Sequence, residues 1–220
     1  FRSLFKQYNV DLIFPKNHKR GSKVYNGKIP YHLINIDLNR SHKIRLLYHF
    51  QNIHNLKKRK NLKDRNQKKK NLIKILGYKK FYLIKFLSDF GFFPLIKFFF
   101  KLLLIKKNNK LFEFFDKQSY THLIHPTVLE GLFIYDLITY KKITPKTKII
   151  FLMNSWDNPS NKALIDGYPD FIGVWGEQTK NHCSELLNIP EKNISIIGSP
   201  QLSMYKNFYK KYTDSNKKIL

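Results

Sequence analysis

Short apolar runs closed by turn residues alternate along the chain with stretches of helical spacing. "VDLIFP" at 10–15 ends in Pro15 and reads as a buried strand, preceded by a segment with Phe1, Leu4 and Phe5 on one helical face. "IPYHLINI" at 29–36 is a second strand, and "KNHKRGSK" between them has loop chemistry. Later strands are predicted at 120–126, 147–153, 170–175 and 193–198. Helices are predicted at 111–119, 127–143 and 176–188, the 127–143 helix opened by Thr127 with Glu130 at capping-box spacing. Strands alternating with helices imply an α/β fold, a Rossmann-like parallel sheet with helices on both faces. The almost unbroken apolar run "IIFLM" fits a strand covered on both sides.

Between these strands lies a different kind of sequence. Residues 41–75 have a helical pattern and are strongly basic, and "NLKKRKNLKDRNQKKK" at 55–70 holds nine basic residues and one acid. This is either a solvated helix or loop, or an electrostatic contact with an anionic surface. Residues 80–107 are rich in Phe, Leu and Ile, are interrupted by Lys85, Asp89, Lys97 and Lys101, and break at Gly91–Pro94. No charge-free run reaches 18 residues, so a spanning helix is not expected. Two readings stay open: a core helix, or an interfacial helix with snorkelling lysines.

The chain has 220 residues, enough for one or two domains with a real core, and its 42% hydrophobic and 15% aromatic content is that of a globular protein. It begins with Phe1 and stops at "KKIL", and is expected to be a fragment at both ends. A lone cysteine, Cys183, excludes an intrachain disulfide and a cysteine-based zinc site, and fits a buried position in a helix of a cytoplasmic protein. The net charge of +26 is uneven. Residues 1–112 hold 28 basic and 4 acidic residues, whereas 113–220 hold 13 and 11. Of the 41 basic residues only six are Arg, so a nucleic-acid reader is a weaker reading, and AT-rich composition accounts for part of the Lys content.

Ligands of open parallel sheets bind beyond the carboxyl ends of the strands. The segments following strands here are "HPT", "NSWDNPSNK", "WGE" and "GSP". Thr127, Ser155, Trp156, Asn158, Lys162, Glu177, Gly198 and Pro200 are therefore the candidate substrate-binding residues. Asp157, the only carboxylate of its loop, is the candidate general base. The same residues also suit a turn, with Asp157 capping a helix and Trp156 packing in the core.

The order "SWDNPSNKAL…YPDFIGVWGEQTKNHCSELLNIPEKNISIIGSPQ" resembles the N-terminal domain of GT-B-type glycosyltransferase-like proteins of bacterial surface-glycan pathways. The matching residues are Ser155-Trp156-Asp157-Asn158 with Lys162, Pro169-Asp170, Val174-Trp175, Ile189-Pro190, and Gly198 with Pro200. The topology is also similar to UDP-N-acetylglucosamine 2-epimerases and CDP-glycerol glycerophosphotransferases. The chain departs at Ser203, where relatives carry an acid, and at Ala163, where many carry Gly.

The resemblance implies one Rossmann-like acceptor-side domain at 1–210, with a helical insertion at about 41–118. Residues 211–220 would be the linker and start of a donor-binding domain. It implies transfer of a sugar from a nucleotide-sugar donor to a glycan or lipid-linked acceptor, with no metal and no further cofactor. The alternatives are an epimerase, a glycerophosphotransferase or a nucleic-acid binder. The expected location is the cytoplasm, peripheral to the inner face of the cell membrane. The expected membrane contacts are Lys57, Lys58, Arg59, Lys60, Lys68, Lys69, Lys70, Phe98 and Phe99. No nucleic-acid partner is expected.

Overall fold

The chain divides into two compact units, residues 1–42 and 43–220. A computed structural model describes residues 8–16, 31–35, 37–126, 133–153, 159 and 162–199. In the first unit, β1 (Leu12–Pro15) pairs in parallel with β2 (Tyr31–Ile34), Leu12 opposite Tyr31. Asp37 then starts helix α1 (Leu38–His54), which runs on into the second unit. Its carboxylate accepts from the Arg40 amide at 3.0 Å, supplying one of the partners a first turn lacks.

The second unit continues with a 3-10 turn (Asn55–Lys58) and helices α2 (Leu62–Leu76), α3 (Tyr78–Asp89), α4 (Phe93–Leu104) and α5 (Asn109–Gln118). Then follow β3 (His122–His125), α6 (Ile134–Ile143), β4 (Lys148–Leu152), β5 (Phe171–Val174), α7 (Glu177–Leu187) and β6 (Ile194–Ile196). The result is an α/β fold whose four-stranded parallel sheet, in the order β3-β4-β5-β6, is flanked by helices. In-register parallel partners share a face, so Leu123, Ile149, Phe151, Ile172, Val174 and Ile194 form one buried apolar layer. On the other face Ile150, Leu152 and Phe171 are half-buried, and Ile124 and Ile197 are exposed.

The expected helix at 127–143 is described only from Ile134. Phe133 sits in the left-handed region at φ 68, so a regular helix cannot run through it. The capping box at Thr127 and Glu130 lies outside the described residues.

The helical region divides where its sequence says it should. Gly77 (φ 81) separates α2 from α3, and Gly91 (φ 83) separates α3 from α4. A Cβ would meet nothing at either position, so backbone conformation rather than space selects glycine. Pro94 then occupies the first turn of α4, where its missing N–H costs nothing. α2 and α3 enclose Ile53, Leu56, Leu72, Phe81 and Ile84. His54, at the end of α1, stacks on Phe93 at 4.3 Å and shares a 2.8 Å hydrogen bond with Ser88. Burial, with Lys57, Lys58 and Lys97 nearby, lowers the His54 pKa and favours a neutral ring in this seam.

α4 is not a core helix. Phe93 is its only buried residue, while Phe98, Leu102 and Leu103 are 58%, 67% and 71% exposed. Its lysines do not snorkel outward either. Lys97 reaches Asp166 Oδ1 at 2.8 Å, and Lys101 pairs with Oδ2 of the same carboxylate. Asp166 is itself nearly buried and follows Ala163 and Ile165, which pack against Ile44, Leu47, Tyr48, Ile105 and Tyr135. Its backbone is left-handed (φ 68), a conformation that Asp and Asn tolerate better than most residues.

Burial alone would raise the Asp166 pKa, but hydrogen bonds and charge from Lys101 and Lys97 outweigh it and hold the value below the ordinary one. The resulting stabilisation is present above the unfolded carboxylate pKa of about 3.9 and is lost as pH falls through the lower folded value. Asp166→Asn keeps the backbone conformation and removes the charge. We expect it to cost on the order of 2 kcal/mol in urea melts at neutral pH, discounted from a fully buried pair because the lysines are partly exposed. The difference from wild type should shrink as the pH falls below the ordinary carboxylate range. A difference that does not change with pH would contradict this origin.

Candidate functional site at the carboxyl edge of the sheet

Each strand of the four-stranded sheet hands over to a loop at the same edge. β3 ends at His125 and Pro126, β4 at Met153, β5 at Trp175 and Gly176, and β6 at Ile197 and Gly198. Three hydrogen bonds hold these ends together. The Met153 amide donates to the Gly173 carbonyl at 2.9 Å, and the Ile197 amide to the Val174 carbonyl at 2.8 Å. The Trp175 indole N–H donates to the Met153 carbonyl at 2.8 Å. Trp175 thereby fixes the point where the chain leaves β4 for the loop beginning at residue 154. Gly173 has no Cβ because the Ile197 side chain occupies that place: a Cβ would lie 2.6 Å from Ile197 Cδ1. β6 can therefore lay Ile197 across β5 before turning at Gly198, whose φ is 72.

The opposite edge is built by residues of the same sequence element. The Asp170 carboxylate accepts from the Ile149 amide at 2.9 Å and pairs with Lys141 at 3.1 Å, tying the starts of β4 and β5 to the end of α6. Burial would raise its pKa, but the Ile149 hydrogen bond and Lys141 prevail and lower it. Asn193 donates to the Asp170 carbonyl at 2.7 Å and so anchors the approach to β6. Asp170 and Asn193 are thus framework residues, away from the loops where chemistry is expected.

Of the candidate site residues, Lys162, Glu177 and Gly198 are described, and Thr127, Ser155, Trp156, Asp157, Asn158 and Pro200 lie outside the described residues. The topology brings Glu177, the exposed first residue of α7, and Gly198 to one edge, because β5 and β6 are neighbours. Lys162 is half-buried, its amide donating to the Pro159 carbonyl at 3.1 Å. It begins the segment that dives into the core: Ala163, Leu164 and Ile165 are buried. Ala163 therefore fills core space where the resemblance anticipates glycine. His125 lies edge-on to Phe151 at 6.0 Å, and sequence reasoning passed over it although it ends a strand at this edge. Trp175, quoted only as part of a motif, proves to organise the edge. Among the described residues no group of three His, Cys, Asp or Glu side chains is placed to hold a metal ion.

The expected basic contacts differ among themselves. Lys57, Lys60 and Lys70 are exposed, whereas Lys58, Lys68 and Lys69 are half-buried. Lys60 lies 3.8 Å from Glu185, and Lys69 sits 5.2 Å from the centre of the Tyr82 ring. Arg59 is a correction: it is buried, at 8% exposure, and its pKa is lowered by that burial. It packs inward from the 3-10 turn and cannot be a surface contact. Phe98 and Phe99 are exposed. No helix among the described residues is long and apolar enough to cross a membrane.

Comparison with protein-family models, with curated proteins and with solved structures finds no match.

One prediction follows from the framework contacts and one from the buried thiol of α7. Asp170→Asn should lower stability by about 1–2 kcal/mol in chemical denaturation, through loss of a charged acceptor for the Ile149 amide. A variant as stable as wild type would remove Asp170 from the framework. Cys183 is fully buried, and burial pushes its thiol up to about 12. Its thiol should stay unreactive towards a disulfide reagent in the native protein and react on unfolding. Fast labelling under native conditions would contradict its burial.

Proposed function

We propose that this chain is the acceptor-side domain of a GT-B-type glycosyltransferase that moves a sugar from a nucleotide-sugar donor to a glycan or lipid-linked acceptor. The observation that carries the reading is positional. The Ser155–Lys162 motif follows β4 in the chain, and the carboxyl end of β4 lies at the edge that also carries Glu177 and Gly198, where parallel sheets place their ligands. The family assignment itself rests on the motif residues between Ser155 and Pro200.

In this reading Asp157 accepts the proton of the acceptor hydroxyl as its oxygen attacks the anomeric carbon of the donor sugar. The bond from that carbon to the nucleoside diphosphate breaks, and the diphosphate leaves with the bonding electrons. Ser155, Asn158 and Lys162 orient the acceptor, and Trp156 stacks on a sugar ring. The first-turn amides of α7 lie at the same edge and suit an anionic group. An epimerase or a glycerophosphotransferase on the same scaffold would use the edge differently. The former needs no acceptor, and the latter transfers a phosphoester rather than a sugar.

The test is turnover of a panel of nucleotide sugars by the full-length gene product with a bacterial lipid extract as acceptor. Asp157→Asn, checked for folding, should reduce transfer by about 10²-fold or more. Undiminished transfer by the variant would demote the loop to a turn. Conversion of the nucleotide sugar without acceptor would favour the epimerase.

A further inference from the structure

The α3–α4 hairpin turns an apolar face outward that no described part of the second unit covers. Leu83, Phe86 and Phe90 are exposed along α3 and its end, and Leu95, Phe98 and Leu102 continue the surface along α4. Between the helices runs a groove of about 480 Å³ lined entirely by apolar residues, Leu87, Ile96 and Phe100 among them. A soluble monomer rarely exposes so continuous an apolar surface without using it. The only charges of α4, Lys97 and Lys101, are drawn to Asp166, so its outward face carries no polar group at all. Ordinary amphipathic helices turn their lysines to water; this one turns them to the core.

The surroundings of that face identify its occupant. Residues 57–110 contain eighteen basic and two acidic side chains. One of the acids, Asp89, is paired with Lys85. Exposed Lys79 and Lys80 stand one turn ahead of Leu83 on α3, and exposed Lys106 and Lys107 follow α4 directly. Two copies of such a face would repel each other. The outward positions of α4 are Phe and Leu, without the Trp, Tyr and Arg that anchor protein interfaces. Apolar side chains flanked by lysines match a bilayer whose headgroups are anionic and whose interior is hydrocarbon. α4 has 12 residues, about 18 Å of helix, which suits lying in the interface rather than crossing it.

We propose that the α3–α4 hairpin docks in the plane of an anionic membrane, its Phe and Leu side chains entering the headgroup boundary and its flanking lysines meeting the lipid charge. This holds whether or not the chain transfers sugar. The test uses the intact protein with sedimented vesicles of phosphatidylcholine, alone or mixed with phosphatidylglycerol. Wild type should bind the mixed vesicles strongly, bind the neutral ones far less, and release with salt. Phe98→Ser/Leu102→Ser/Leu103→Ser replaces only exposed side chains, so the fold should survive, and binding should fall by about tenfold or more. Lys79→Gln and Lys80→Gln should each weaken binding to mixed vesicles by roughly fivefold. A tryptophan placed by Phe98→Trp should shift its emission to the blue with mixed vesicles. Absence of binding to either vesicle, or binding unchanged in the triple variant, overturns the proposal. So does a wild-type dimer that the triple variant converts to monomer while vesicles bind neither.

Discussion

One carboxylate decides how the helical part of this protein faces the world. Asp166 closes an apolar segment anchored by Ala163 and Ile165, and it holds Lys97 and Lys101 from successive turns of α4. Two ammonium groups four residues apart lie on one side of a helix. Once both are committed inward, the Phe and Leu side chains on the other side have nowhere to go but out. Hydrophobic burial alone would roll α4 the other way. The ion pairs prevail because the carboxylate is already desolvated by the core around it and is costly to leave alone.

That arrangement links the carboxyl edge of the sheet to the outer face of α4 through one short segment. The chain leaves β4 for the motif loop and re-enters the core at Ala163. It then turns at Asp166 and reaches Asp170, which pins the start of β5. The motif loop is thus held at one end by Trp175 on the Met153 carbonyl and at the other by the buried Ala163–Ile165 segment. Both ends of the loop are therefore anchored in the sheet and the core. The same Asp166 that ends this segment orients the apolar face of α4.

Much of the α/β layer was legible from pattern. The apolar runs at 147–153 and 170–175 became β4 and β5, and the break at Gly91–Pro94 became the turn between α3 and α4. Local chemistry dictates these features: strand-forming side chains, glycine at positive φ, proline in a first turn. The orientation of α4 was not legible, because its spacing is equally compatible with lysines facing in or out. The deciding partner, Asp166, lies 65 residues beyond Lys101 in an Asp-Gly pair that reads only as a turn. Arg59 was misread for a related reason: a run of basic residues gives no sign of which member the 3-10 turn will bury. Asp170 and Trp175 drew attention only as motif residues beside the candidate site, and their framework roles appear only when β4 and β5 are seen side by side. Phe133 ended the regularity of the 127–143 pattern through a backbone conformation that periodicity does not encode.

The inward turn of the α4 lysines is the centre of this account, and the buried Cys183 leaves the surface clear for single-site labelling. The most direct measurement is electron paramagnetic resonance of a nitroxide on Leu102→Cys, compared with one on Lys97→Cys in which Lys101 still holds Asp166. In solution the label at 102 should be mobile and the label at 97 immobilised. With anionic vesicles the label at 102 should gain access to oxygen dissolved in lipid, and the label at 97 should not. A mobile label at 97 with an immobilised one at 102 would mean that α4 faces the other way, and the account would fail.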